Sequence, residues 1–266
     1  MIRPLHDLPT VLTCFALRQE YMQELKALLL TIKQHHPDWP VVIGRGTIAD
    51  RKVVFEVDAP NEKCHWIAPV LFELDGSQDD WRRVTRLKAW WMSQVWNYYG
   101  AMADPLRLRV VWLDADARLN GPLDFKVDPE IELVAGPWWV DPEGIAPDTI
   151  ASGLLLFQGC KDGPVAKLIQ IWCDECLRQI QHLPASVAPW PDGDQEVLTS
   201  LMSKHFEVRN DFDLLKLDLD KYCGIANHDG TRIKGAIVDQ WQMSRKFLHH
   251  QEGWPPPEEQ RKGSCE

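Results

Sequence analysis

Short apolar runs alternate with longer stretches of helical periodicity along this chain, and that alternation most constrains its fold. Residues 9–17 form an apolar run of strand length. Met22, Leu25, Leu28, Leu29 and Ile32 follow at helical spacing, up to Pro37. Residues 41–44 and 53–57 read as the next two strands. Apolar residues then recur at 84, 87, 91, 95 and 98, a helical face that Gly100 can close. Residues 108–113, 131–135 and 153–157 read as further strands. A strongly amphipathic helix covers 165–180, and a shorter one 195–204. This order predicts an α/β fold, three layers around a mostly parallel sheet, with ligands at the carboxyl ends of its strands.

Composition narrows the class. With 266 residues, 45% hydrophobic and 26% charged, the chain can bury a full core. One domain is expected over residues 1–250. Residues 251–266, with three consecutive prolines, read as a flexible tail. The net charge of −10 argues against broad attraction to nucleic acid or anionic membrane. No apolar run has the length of a signal peptide or a transmembrane helix. Seven cysteines at irregular spacing fit free thiols, which points to the cytoplasm. Cys173 and Cys176 fall on the apolar stripe of their helix, so buried thiols are expected there and not a zinc site.

The chemistry concentrates at the end of one strand. Asp114-Ala115-Asp116 follows Val110-Val111-Trp112-Leu113 directly, where a chain leaves a sheet. Two carboxylates there either converge on a hard divalent cation such as Mn²⁺ or Mg²⁺, or stand as two solvated acids in a turn.

Residues 110–116 resemble the Asp-x-Asp strand of GT-A glycosyltransferases, Rossmann-like enzymes that use nucleotide-sugar donors. The similarity is greatest to the retaining family that includes glycogenin and the bacterial lipooligosaccharide galactosyltransferases. Four further segments agree in order. Ala16 and Tyr21 match the family's Ala-x-x-x-x-Tyr beside the nucleotide base, with Arg18 where an aspartate is common. Ser152-Gly153 is similar to the Asn-x-Gly strand beside the donor sugar, with serine adjacent to the glycine. Asp194-Gln195 matches the Asp-Gln pair near the anomeric carbon. His228 to Lys234 echoes His-x-x-Gly-x-x-Lys, with the glycine one position early and no Pro-Trp after it.

The resemblance implies a metal-dependent transfer from a UDP-sugar to a hydroxyl, with retention. Asp114, Asp116 and His228 would hold Mn²⁺ or Mg²⁺, and Lys234 would pair with a phosphate oxygen. Ala16, Tyr21, Lys88, Asp114, Ser152 and Gly153 would line the donor site. Lys88 is favoured over Arg86 as the basic residue that this family carries on the preceding helix. Asp194 would hold donor hydroxyls and Gln195 would face the sugar, although Asp194 also suits a helix N-cap. An inverting enzyme would instead need a base such as Asp141, Glu143 or Asp148.

Trp138 and Trp139, read as following the 131–135 strand, are candidates to stack on an acceptor. The acceptor expected is a glycan or surface-polysaccharide precursor. A hydroxymethylated base of phage DNA is the alternative, favoured only by the basic and aromatic residues 243–250. A sugar-nucleotide pyrophosphorylase would need a glycine-rich loop after the first strand, which is absent. A non-catalytic nucleotide-sugar binder is the third class. His35, His36, His249 and His250 read as solvated.

Overall fold

The computed structural model describes residues 8–17, 19–60, 62–71, 78–102, 107–139, 148–185, 193–208, 211–225 and 235–240. In chain order the elements are β1 (Thr10–Ala16), α1 (Gln19–His35), β2 (Val41–Ala49), β3 (Lys52–Ala59), β4 (Glu62–Leu71) and α2 (Gln78–Met102). Then come β5 (Arg107–Leu113), β6 (Ala117–Leu119), β7 (Leu133–Trp139), β8 (Thr149–Ile150), β9 (Leu154–Cys160) and α3 (Pro164–Gln181). The chain continues with α4 (Asp194–Val208), β10 (Asp213–Leu217), α5 (Leu219–Tyr222), β11 (Gly224–Ile225) and β12 (Val238–Gln240).

A nine-stranded sheet runs in the order β10-β7-β9-β5-β1-β2-β3-β4, with β8 paired to β7. From β1 the chain crosses through α1 to β2 on one side. It later crosses through α2 to β5 on the other side of β1. Both crossovers join parallel strands, and right-handed crossovers in opposite directions put their helices on opposite faces. Accordingly α1 packs on β1 and β6, whereas α2 packs with α3 and α4 and on β5. Helices therefore cover both faces of the sheet, the α/β sandwich expected from the alternation of elements.

Parallel pairing holds at the centre, β2-β1-β5, and between β7 and β10. Antiparallel pairs flank it. The meander β2-β3-β4 is turned by Asp50 and Arg51, both at positive φ (50° and 62°), a two-residue hairpin turn whose twist matches its strands. Strand β9 runs antiparallel between β5 and β7.

Aromatic rings from the sheet and from α2 form the core between them. Phe15, Phe55 and Trp91 lie with centroids 5.0–5.8 Å apart, and Trp112 lies 5.3 Å from Phe15. Each buried ring contributes on the order of 5 kcal/mol of transfer free energy, at roughly 25 cal/mol per Å² over about 200 Å². The Trp91 indole donates to Thr13 Oγ1 at 2.7 Å, and that hydroxyl donates to the Val42 carbonyl at 2.9 Å. Gly44 permits the fit, because a Cβ there would stand 2.5 Å from the Trp91 ring.

Three local expectations change. Trp138 and Trp139 lie inside β7, not after it, because the strand continues through Pro137 and pairs with β8 (Trp138 with Ile150). His36 is buried, not solvated: Leu123 N–H donates to its Nε2 at 2.8 Å and its ring stacks on Trp39 at 3.9 Å. Asp194 is the first residue of α4, and its carboxylate turns inward instead of capping. The cap contact comes from Glu196, which accepts from Gly193 N–H at 2.6 Å, the reach-back half of a capping box. Cys173 and Cys176 are buried as expected, and burial pushes both thiols up, Cys173 to about 11. No described helix is long and apolar enough to cross a membrane.

Candidate functional site

The crossovers diverge at β1, which makes the carboxyl ends of β1 and β5 the topological switch point of the sheet. Open α/β sheets bind ligands at such switch points. Ala16 ends β1 there, and the register Thr13↔Trp112 carries it to the level of the Asp114–Asp116 turn. Strand β9 runs the opposite way, so its beginning, Ser152 and Gly153, lies on the same edge. Gly153 C=O accepts from Asp114 N–H at 2.9 Å, which ties the two segments together.

Lys88 comes down from α2 into this edge. Its Nζ lies 3.0 Å from Asp114 Oδ1, 3.1 Å from Asp194 Oδ2, and 3.0 Å from both Ser152 Oγ and the Ser152 carbonyl. Three N–H donors thus face four acceptors; both hydrogen bonds go to Ser152, and the pairings with Asp114 and Asp194 are ionic. The Trp112 ring lies below, its centroid 5.2 Å from Nζ. Lys88 and Asp194 are both almost wholly buried, with side chains 5% and 4% exposed. Burial alone would push Lys88 down, but Asp114 and Asp194 outweigh it and hold the ammonium above its usual range. Burial pushes the Asp194 carboxyl up, with Lys88 opposing and Asp114 adding to the rise. The backbone of Asp194 is fixed by Trp172, whose indole donates to its carbonyl at 3.1 Å.

Asp114 is the open member, its side chain 35% exposed. The Trp112 indole N–H donates to Oδ1, at 2.7 Å, while among the described residues Oδ2 accepts no hydrogen bond. Asp116 is largely buried in the turn that leads to β6. Two oxygen-donor carboxylates from one turn, one with an open oxygen, suit a hard divalent ion as a half-site. Among the described residues no group of three or more His, Cys, Asp or Glu completes it.

The remaining candidates are placed as follows. Gln195 is partly buried and donates to Glu196 Oε1 at 2.8 Å. Tyr21 packs half-buried on α1 against the core. Trp138 is buried with Lys216 Nζ 4.6 Å above its ring, and among the described residues its Nε1 has no hydrogen-bond partner. Asp148 pairs with Lys216 at 3.1 Å. Arg86 is fully buried away from this edge, donating to Gln179 and to the Arg82 carbonyl, whereas Lys88 reaches the edge. His228, Lys234, Asp141, Glu143, residues 243–250 and the side chains of Arg18 and Trp139 lie outside the described residues.

Trp112 is the site residue that the strand pattern hid, since an aromatic in an apolar strand reads as core. Its only sequence signal is position: two residues before Asp114, it shares that residue's face of the strand.

No protein-family model and no curated protein matches the chain. Among solved structures it is similar to the apo-form glycosyltransferase GlyE of Streptococcus pneumoniae TIGR4, at 13% identity and a TM-score of 0.45. That likeness covers 98% of this chain and 61% of the other, so the chain spans less than two thirds of that protein's length.

Proposed function

We propose that this protein is a metal-dependent glycosyltransferase that moves a sugar from a nucleotide diphosphate, a UDP-sugar, to a hydroxyl of a glycan acceptor. One observation carries the reading. Asp114, Ser152 and Asp194 come from three distant segments that the family resemblance picks out separately, and one ammonium gathers them within 3.1 Å. Buried charges are costly, and a cluster of them at a switch point is what a charged ligand needs.

Breaking a sugar–diphosphate bond builds negative charge on the leaving phosphate; Asp114 and Asp116 would hold a divalent ion, which would supply compensating charge there. Lys88 keeps the carboxylates of Asp114 and Asp194 apart in role, one open at the switch point and one buried at the start of α4. Asp194 and Ser152 orient donor hydroxyls, and Gln195 faces the reacting carbon. Ala16 and Tyr21 border the base.

His228 is the third ligand of this reading. Ile225, three residues before it, pairs beside Gln240, whose own partner is Ala117, directly after Asp116. Two strand spacings put Ile225, the last described residue of β11, about 10 Å from the acidic turn. The net charge of −10 favours a glycan over a polyanionic acceptor.

The test is a thermal-shift and donor-hydrolysis screen of UDP-, GDP-, CMP- and TDP-sugars with Mn²⁺, Mg²⁺ or EDTA. The reading expects stabilisation and slow nucleotide release with a UDP-sugar and Mn²⁺, lost in EDTA. No response to any nucleotide sugar rejects it.

A further inference from the structure

We infer that Trp112 is a positioning residue for Asp114: its indole N–H, with Lys88, fixes the carboxylate through Oδ1 so that Oδ2 is left open for a divalent cation. This rests on the metal-dependent reading above.

A buried indole N–H and a buried ammonium, from different elements, converge on one oxygen. Trp112 Nε1 stands 2.7 Å and Lys88 Nζ 3.0 Å from Asp114 Oδ1, and neither donor touches Oδ2. A carboxylate at the end of a strand otherwise rotates freely, and rotation would exchange the two oxygens. Here the indole cannot follow such a rotation. Trp112 is 2% exposed, packed edge-on against Phe15 and beneath Lys88. The strand itself sets the pairing, since residues two apart share a face and Trp112 lies in register with Thr13 and Leu155 on either side. A buried Trp N–H needs an acceptor, and among the described residues Asp114 is the acceptor it has. The same hydrogen bond therefore satisfies the core and orients the ligand. Partners of this kind commonly change metal affinity 10–100-fold when removed.

The experiment compares two chemically equal losses. Trp112→Phe removes the N–H that Asp114 accepts, whereas Trp96→Phe removes one donated to the Lys161 carbonyl at 3.1 Å, far from the switch point. Mn²⁺ alone is titrated into wild type, both variants and Asp116→Asn, with free Mn²⁺ read by electron paramagnetic resonance and Tm measured in EDTA. Trp112→Phe is expected to weaken Mn²⁺ binding about tenfold or more, with Trp96→Phe at wild-type affinity. Replacing Trp112 by benzothienylalanine, which keeps the bicyclic shape and lacks the N–H, is expected to do the same and serves if Trp112→Phe fails to fold. Wild-type Mn²⁺ affinity in the benzothienylalanine protein overturns the positioning role alone. Equal weakening in Trp96→Phe also overturns it, as a general effect of core loosening. Failure of wild type to bind Mn²⁺, or Asp116→Asn binding unchanged, overturns the metal reading and this inference with it.

Discussion

Lys88 and Asp194 form a buried ion pair, Nζ to Oδ2 3.1 Å, between the middle of α2 and the first turn of α4. Removing one partner of such a pair leaves the other charge without compensation. Lys88→Met is therefore expected to cost about 3–5 kcal/mol near neutral pH. Asp194 already has a carboxyl raised by burial, so its ionised form is penalised at high pH and relieved as pH falls through the raised value. Without Lys88 that relief is larger. The Tm deficit of Lys88→Met should shrink from pH 8 to pH 5, and adding Asp194→Asn should restore part of it at pH 8. A deficit independent of pH and of Asp194→Asn would contradict the pair.

Asp116→Asn keeps the side-chain shape and removes a charge. Metal-dependent binding of a nucleotide sugar is expected to disappear, while Tm in EDTA stays near that of wild type. Full turnover by this variant would place the metal elsewhere.

His36 accepts from the Leu123 backbone N–H through Nε2, which requires a neutral ring. Burial lowers its folded value below the ordinary 6.5, with His35 adding to the fall. The unfolded chain therefore takes up the proton first. The stabilisation is fully present above 6.5 and is lost as pH falls through the folded value. His36→Ala should cost about 1–3 kcal/mol at pH 8, measured by urea denaturation, and progressively less toward pH 5.

Indole hydrogen bonds predict a contrast in the core. Trp138→Phe removes an N–H that has no acceptor among the described residues and is expected to stay within about 1 kcal/mol of wild type. Trp91→Phe strips the donor from Thr13 Oγ1 and should cost about 1–3 kcal/mol. Gly44→Ala drives a methyl to 2.5 Å from the Trp91 ring and should cost about 1–3 kcal/mol. Reversal of the order of the two tryptophan variants would refute the assignment of their partners.

The sequence by itself determined the alternation of elements and the acidic turn. Residues 10–16 and 110–113 form largely apolar runs, and the stripe Val165 to Ile180 is periodic enough to read as a buried helix face. Local pattern suffices there, because burial on a regular element repeats with that element's period. Strands β4 and β10 escaped it. They are edge strands with one or both faces in water, so Glu62–Leu71 and Asp213–Leu217 lack a continuous apolar signal.

Tertiary structure alone decided which charges meet. Arg82, Arg83, Arg86 and Lys88 look alike along α2, yet Lys88 reaches the switch point and Arg86 is buried against α3. Asp194 reads as a cap until the packing of α4 beside α2 turns its carboxylate toward Lys88. His36 reads as solvated until the chain after β6 folds over it, and Trp112 reads as packing until Asp114 closes on its N–H. Periodicity reports which side of an element is dry. The partners of Lys88 lie 26, 64 and 106 residues along the chain, at Asp114, Ser152 and Asp194, and the partner of His36 lies 87 away at Leu123; only the folded chain brings such groups together.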